Sequence, residues 1–445
     1  MLRPLTKQIF LLAAALSFAF VNIQSQTPKK ESYLRFLDYA VGMTAEQAVA
    51  FALGNNAELS ALRKEAEAGE ELIRQAKLRA NPTLQLSGTK QMNGDDNSFM
   101  IEGGIPLELA GRRGARIRIA EAESDIRKLA VAERERQLAA EVRIKFGEAI
   151  AAILKLKFTE EMLSAAEENY NLVSARVDEG RRPPLEKNIE AVELNRIRAS
   201  RETAESEAEI KLLELKNLIG MPPENALRLS GDLGVSVSAL PDRETLIRIA
   251  LERRPDLKGA RALEKLAAAR VNQARVEGRI DADVMLGYQK MLTRFPLSGI
   301  DAAGMLMPIE MRANTFTFGV RLTLPVRNAN QGMIAAAILE EEAAANRREF
   351  GELSVRGEVT AAAVRYEAAR RAAEIFRVGV REQSASNRNV IRQTYEIGTA
   401  NLLDYIAELR RYIETEINFI DAQLDAYRAR AELIRATNAP ELLQK

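Results

Sequence analysis

The sequence predicts a mainly helical chain with a membrane β-barrel component, built from two copies of one unit. Three observations carry this. Ala, Leu, Glu and Arg dominate 445 residues that are 29% charged and only 5% aromatic, the composition of long helices and coiled coils. One proline-free stretch is far longer than an ordinary globular helix. Short segments with strict two-residue alternation stand between the helical ones.

The chain contains no His, Cys or Trp. That removes Ser-His-Asp and Cys-His nucleophile pairs, imidazole proton shuttles, Cys/His zinc sites and disulfides. No catalytic set, cofactor or metal site is therefore expected within the chain. A net charge of +1 offers no electrostatic footprint for nucleic acid.

Arg3 and Lys7 precede the apolar run Ile9 to Val21, broken by Ser17, and a polar stretch follows. This is the order of a secretory signal, expected over residues 1–25, and the run is too short to remain as a spanning helix. Residues 26–42 form an N-terminal segment. Two repeats are expected at 43–220 and 240–438: Ala52-Leu53 aligns with Ala250-Leu251, Gln75-Ala76 with Gln273-Ala274, Gly180 with Gly398 and Leu185 with Leu403. Between the early and late matches the second copy gains about twenty residues, expected as a surface loop at 291–313. Residues 221–239, with Pro222, Pro223, Gly231 and Gly234, read as the linker, and 439–445 as a tail.

Each copy runs helix, strand, strand, very long helix, turn, helix. Thr44 is placed to cap the first helix and Asn81-Pro82 to stop it. Strands are expected at about 82–90 and 98–108 in the first copy and 281–290 and 314–325 in the second. Leu84 and Leu86 alternate with Thr83, Gln85 and Ser87, and Phe316, Phe318, Val320 and Leu322 with Thr317, Gly319, Arg321 and Thr323. Each strand thus has one apolar and one polar face, and about ten residues suffice for a tilted spanning strand. Glu102, Asp281, Asp283 and Arg321 fall on the polar side, which would line a lumen.

Arg112 to Val177 holds no proline and corresponds to about 100 Å of helix. Leu138, Val142, Phe146, Ala149, Ile153 and Leu156 form a heptad seam, as do Ile413, Ile417, Ile420, Leu424, Tyr427, Ala431 and Ile434. Four amphipathic strands cannot close a barrel alone, and open edges are not tolerated in lipid. Oligomerisation would close it; three copies would supply twelve strands. A secreted coiled-coil envelope protein with a small β-domain gives the same seams and stands as the alternative. The two differ in whether the apolar strand faces meet lipid.

The stretches TAEQAVAFALGNNAELSALRKEAEAGEELIRQAKLRANPTLQLSG, LPVRNANQGMIAAA and YEIGTANLLDYIAELRRYIETEINFIDAQLDAYRARAELI resemble the outer membrane efflux proteins of the TolC family. PLELAGRRGARI is most similar to the cobalt-zinc-cadmium, heavy-metal type. The resemblance covers nearly the whole chain after the signal. It implies a homotrimer in outer membrane lipid with a twelve-stranded barrel, a helical tunnel across the periplasm, and docking to a periplasmic adaptor (membrane fusion protein) and an inner membrane pump. It places adaptor-contacting tips at 180–184 and 398–401, with Gly180, Arg181, Gly398 and Thr399. It also implies acidic constriction rings, carried here by Asp404 and, in the first copy, by Glu186. Ala407 stands where a second acidic ring is expected, and Pro183-Pro184 departs from the usual tip. The cargo, whether heavy-metal cations, drugs or proteins, is not specified by the residues.

Overall fold

The computed structural model describes residues 32–234 and 240–443; the expected signal at 1–25 lies outside them. Helix α1 (Ala45–Asn55) is capped by Thr44, whose side chain accepts from the Gln47 amide while Gln47 returns a bond to the Thr44 amide, a reciprocal box that satisfies two otherwise orphaned donors. Helix α2 (Ala57–Lys77) follows directly, capped by Asn56. Strands β1 (Thr83–Lys90) and β2 (Asn97–Pro106) lead into α3 (Arg112–Asp178) and α4 (Pro184–Ile219). The second half repeats this order with α5 (Arg243–Arg253), α6 (Pro255–Glu277), β3 (Asp281–Ile300), β4 (Leu306–Thr323), α7 (Gln331–Ile375), α8 (Glu382–Glu396) and α9 (Leu402–Thr437). A π-helical segment, Phe376–Arg381, joins α7 to α8.

The long helix is a single 67-residue element. Every member of its expected seam, from Leu138 to Leu156, is buried, forming a core with α1, α4 and α9. A second core joins α5, α7 and α9, and a third lies further along α3, α4 and α9 around Phe158, Leu194 and Tyr412. Burying an apolar side chain of this size contributes about 1.5–3 kcal/mol, so these seams, rather than helix propensity, hold elements this long together.

Three boundaries differ from expectation. Helix α2 ends at Lys77, five residues before Pro82, because arginines of the GRRGAR stretch take its last carbonyls. Arg113 Nε donates to Lys77 O at 2.9 Å, and Arg116 donates to Ala76 O at 3.2 Å and Leu78 O at 2.9 Å. The expected linker is not a free tether over its described part. Leu227, Leu229 and Leu233 are buried in the first core, and Leu229 bridges to Leu37 and Met43. The expected loop at 291–313 is instead a continuation of β3 and β4, with only Asp301 to Met305 as the turn. Strands expected at 281–290 and 314–325 thus extend to 281–300 and 306–323. The reason is local: Leu292 pairs with Arg312, Thr293 with Met311 and Arg294 with Glu310, so the ladder runs on past the end of the β1–β2 hairpin.

Candidate functional site

The four strands form one antiparallel sheet in the order β1-β2-β3-β4. Directly opposed residues of an antiparallel pair share a face, so the register decides whether the alternating patterns add up. They do. Leu86, Ile101, Tyr288 and Phe316 fall on one rung and Leu84, Gly103, Leu286 and Phe318 on another. One face is therefore apolar across all four strands, and no described element of the protomer covers it: Leu84 is 70% exposed, Phe316 80% and Phe318 84%. At its upper margin the Tyr288 and Phe316 rings meet at 5.1 Å, and the Tyr288 hydroxyl donates to Asn314 Oδ1 at 3.0 Å. Lys290 and Asn314 sit beyond this rung. An apolar band edged by aromatics and then by charge is the profile of a strand surface that meets lipid.

The opposite face carries Glu102, opposed to Gln85 and Gly287, and Asp283, opposed to Arg321. Asp281 is on the same side but committed to the joint below the sheet. It accepts from the Leu109 amide at 2.9 Å and pairs with Arg112 at 3.3 Å, and Arg112 also donates to the carbonyls of Glu277 and Arg279, each at 3.0 Å. The motif that marks the metal-efflux resemblance thus clamps the C-terminal ends of α2 and α6 where strands become helices. On the second side Asn330 does the same for α6, donating to Ala274 O at 2.9 Å.

At the other end of the molecule the two helical turns share one geometry. Gly180 has φ +72° and Gly398 φ +84°, the left-handed conformation that favours glycine. The amides of Arg181 and Thr399 close onto the carbonyls of Arg176 and Thr394 at 2.8 and 2.9 Å, in the manner of a Schellman cap. Pro183 and Pro184 begin α4, where a missing N–H costs little. Arg181 is exposed and pairs with Glu179 at 3.2 Å, and the Thr399 hydroxyl donates to Thr394 O at 3.0 Å.

Glu186 and Asp404 sit differently. Glu186 accepts from the Tyr395 hydroxyl at 3.2 Å and pairs with Arg182 at 3.4 Å. Arg182 lies over the Tyr395 ring at 5.1 Å, and that ring stacks on Tyr405 at 5.4 Å. This cluster fastens the start of α4 to the end of α8 and the start of α9. Burial and the neighbouring Glu186 carboxylate push the Tyr395 phenol up to about 12, so it remains a donor. Asp404, by contrast, is exposed in the first turn of α9; its amide is capped by Asn401, and its carboxylate has no partner among the described residues. Deeper along α4, Glu190 is buried with a single bond from Asn169 at 2.9 Å, and burial raises its pKa above 4.5. Glu193, also buried, is held by Arg410 at 2.6 Å. The sequence gives no sign of Tyr395 as a partner of the first tip, because Tyr395 and Glu186, 209 positions apart, meet only through helix packing.

Among the described residues no helix is long and apolar enough to cross a membrane, and no group of three or more His, Cys, Asp or Glu is arranged to hold a metal ion. The description "Outer membrane efflux protein" matches residues 49–221 and again 246–439. The chain is 25% identical over 438 residues to the cobalt-zinc-cadmium resistance protein CzcC of Cupriavidus metallidurans, covering 98% of this chain and 99% of that protein. Its fold matches the crystal structure of CusC with a TM-score of 0.73 at 16% identity, covering 90% of this chain and 93% of that one. It also matches the Campylobacter jejuni CmeC outer membrane channel with a TM-score of 0.71 at 15% identity, covering 88% and 85%. The uncovered apolar sheet face, the long helical body and the match of one family in both halves agree: the chain belongs to the outer membrane efflux protein family.

Proposed function

We propose that the mature chain assembles as a homotrimer and acts as a passive duct from the periplasm to the exterior for cargo delivered by an inner membrane pump through a periplasmic adaptor. The observation that carries this is the four-stranded sheet with a continuous exposed apolar face and two open edges, β1 and β4. Open edges in lipid leave backbone groups unbonded, and joining β4 of one copy to β1 of the next satisfies them. Three copies give twelve strands, an even-numbered barrel, with Glu102, Asp283 and Arg321 towards the lumen and α3, α4 and α7 to α9 continuing as the tunnel. The repeats at 43–220 and 240–438 then alternate around the ring as quasi-equivalent units.

In this reading the turns at Gly180-Arg181 and Gly398-Thr399 meet the adaptor. Asp404, unpaired among the described residues, would form a ring of three carboxylates that favours cations. Glu186 acts through its bond to Tyr395, holding the two tips together. Likeness to CzcC favours heavy-metal cations as cargo, and export of drugs or proteins is the second reading. Single-channel recording of the purified mature protein in a planar lipid bilayer tests the duct. Small, stable, cation-favouring steps are expected, and a protein that never inserts overturns the proposal.

A further inference from the structure

We propose that methionines on the polar face of the sheet form a binding site for a soft monovalent cation, Cu(I) or Ag(I), in the barrel lumen. This rests on the duct reading for the word lumen; the placement of the residues does not.

The register puts Met100, Met285, Met291 and Met311 on the face that carries Glu102, Asp283 and Arg321. From the joint below the sheet up to the Arg294–Glu310 rung no Leu, Ile, Val or Phe shares that face, and no Met lies on the apolar one; beyond that rung Ile309, two residues from Met311, turns to the same side against Gly299. If these positions were selected for hydrophobicity alone, the same aliphatic residues would serve both sides. The division separates thioethers from hydrocarbon, and only the thioether offers a soft lone pair.

Three of the four form an oblique row. Met100 opposes Gln289 while Met291 opposes Ser98, so the two are diagonal neighbours on β2 and β3; Met291 opposes Ala313 while Met311 opposes Thr293, so the row continues onto β4. Diagonal neighbours on one face stand about 7–8 Å apart, near enough for two flexible thioethers to lean onto one ion between them. Nor are the side chains filling gaps in a core. Met311 is exposed, and small residues oppose the others: Ser98 and Ala313 beside Met291, Gly104 and Gly319 beside Met285. The Met285 methyl lies 3.9 Å from the point where a side chain on Gly319 would begin, so this thioether spreads over the glycine on the open face.

The chain has no His or Cys, which leaves thioether sulfur as its only soft donor. Neutral thioethers select Cu(I) and Ag(I), while carboxylate and imidazole ligands suit the harder divalent ions. Glu102, two residues from Met100 on the same face, adds a long-range attraction for a cation without supplying a competing soft ligand.

The test uses the full mature protein, assembled in detergent, with 13C-methyl methionine and silver nitrate as the probe in chloride-free buffer. The methyl resonances of Met100, Met291 and Met311 are expected to move together and saturate, while buried Met162 of α3 stays fixed. The combined substitution Met100→Leu, Met291→Leu and Met311→Leu is expected to weaken silver binding at least tenfold with single-channel conductance retained. Met291→Leu alone, at the centre of the row, should weaken it severalfold and serves if the triple variant does not assemble. Equal binding by wild type and variants, immobile resonances, or zinc producing the same shifts as silver would each overturn the site. An absence of conductance in the wild type would instead count against the duct.

Discussion

The facing of the strands makes a prediction that neighbouring residues answer in opposite ways. Phe318 lies opposite Leu286, two rungs below the Tyr288–Phe316 pair and next to it on the same face, and the apolar band from Ala282 to Tyr288 runs about 20 Å at ~3.3 Å per residue. Its middle is therefore the Val284 to Leu286 level, and Phe318 sits there. An arginine at mid-depth on a lipid-facing strand costs about 2–4 kcal/mol. Three copies in a trimer place about 6–12 kcal/mol on the assembled barrel, the size of a whole domain's stability. Thr317, on the opposite face, should accept arginine within about 0.5 kcal/mol. Urea titration of protein folded into lipid vesicles measures both: Phe318→Arg should lower the midpoint sharply or abolish insertion, and Thr317→Arg should leave it near wild type. The reverse order would show that the sheet faces are inverted, and tolerance of both would show that neither face meets lipid.

Other consequences are smaller and separable. Tyr395→Phe removes the bond to Glu186 and should loosen the contact between the two tips by about 1 kcal/mol, read as a roughly fivefold rise in resting open probability. Asp404→Ala should raise resting conductance and reduce cation preference; unchanged current would remove Asp404 from the constriction. Arg116→Ala abandons the carbonyls of Ala76 and Leu78 and the Glu108 carboxylate, and should destabilise the strand-to-helix joint by about 1.5–3 kcal/mol in thermal unfolding. Glu190 has a raised folded-state pKa, from burial first and from Glu193 and Glu186 after it. A raised acid binds its proton more tightly when folded, so its favourable contribution is complete below the unfolded value of 4.5 and is lost as pH rises through the folded one. Glu190→Gln should therefore raise the melting temperature at neutral pH, with the gain shrinking as pH falls through the raised folded-state value and gone below 4.5. An equal gain at all pH values would mean packing rather than charge is responsible.

The sequence by itself determined what depends on neighbours along the chain. Leu138 to Leu156 announce a buried seam because a 3.6-residue period places them on one side of a helix. Gly180 and Gly398 announce chain reversals because a positive φ favours glycine, and Leu84, Phe316 and Phe318 announce a two-faced sheet because strand side chains alternate. The absence of His and Cys removed whole classes of chemistry without any structure at all. What the sequence could not determine is pairing across distance. The length of β3 and β4 depends on rungs such as Leu292 with Arg312, which have no alternation strong enough to outweigh the nearby Pro and Gly. The end of α2 is set by Arg113 and Arg116, arriving from the far side of two strands. The bond from Tyr395 to Glu186 exists because two helical hairpins pack side by side, which fixes a contact between residues that local periodicity leaves independent. Register is the clearest case: each strand's pattern fixes its own two faces, but only pairing in three dimensions aligned Leu86, Ile101, Tyr288 and Phe316 on one side, and a slip of one residue would have sent one of them to the other.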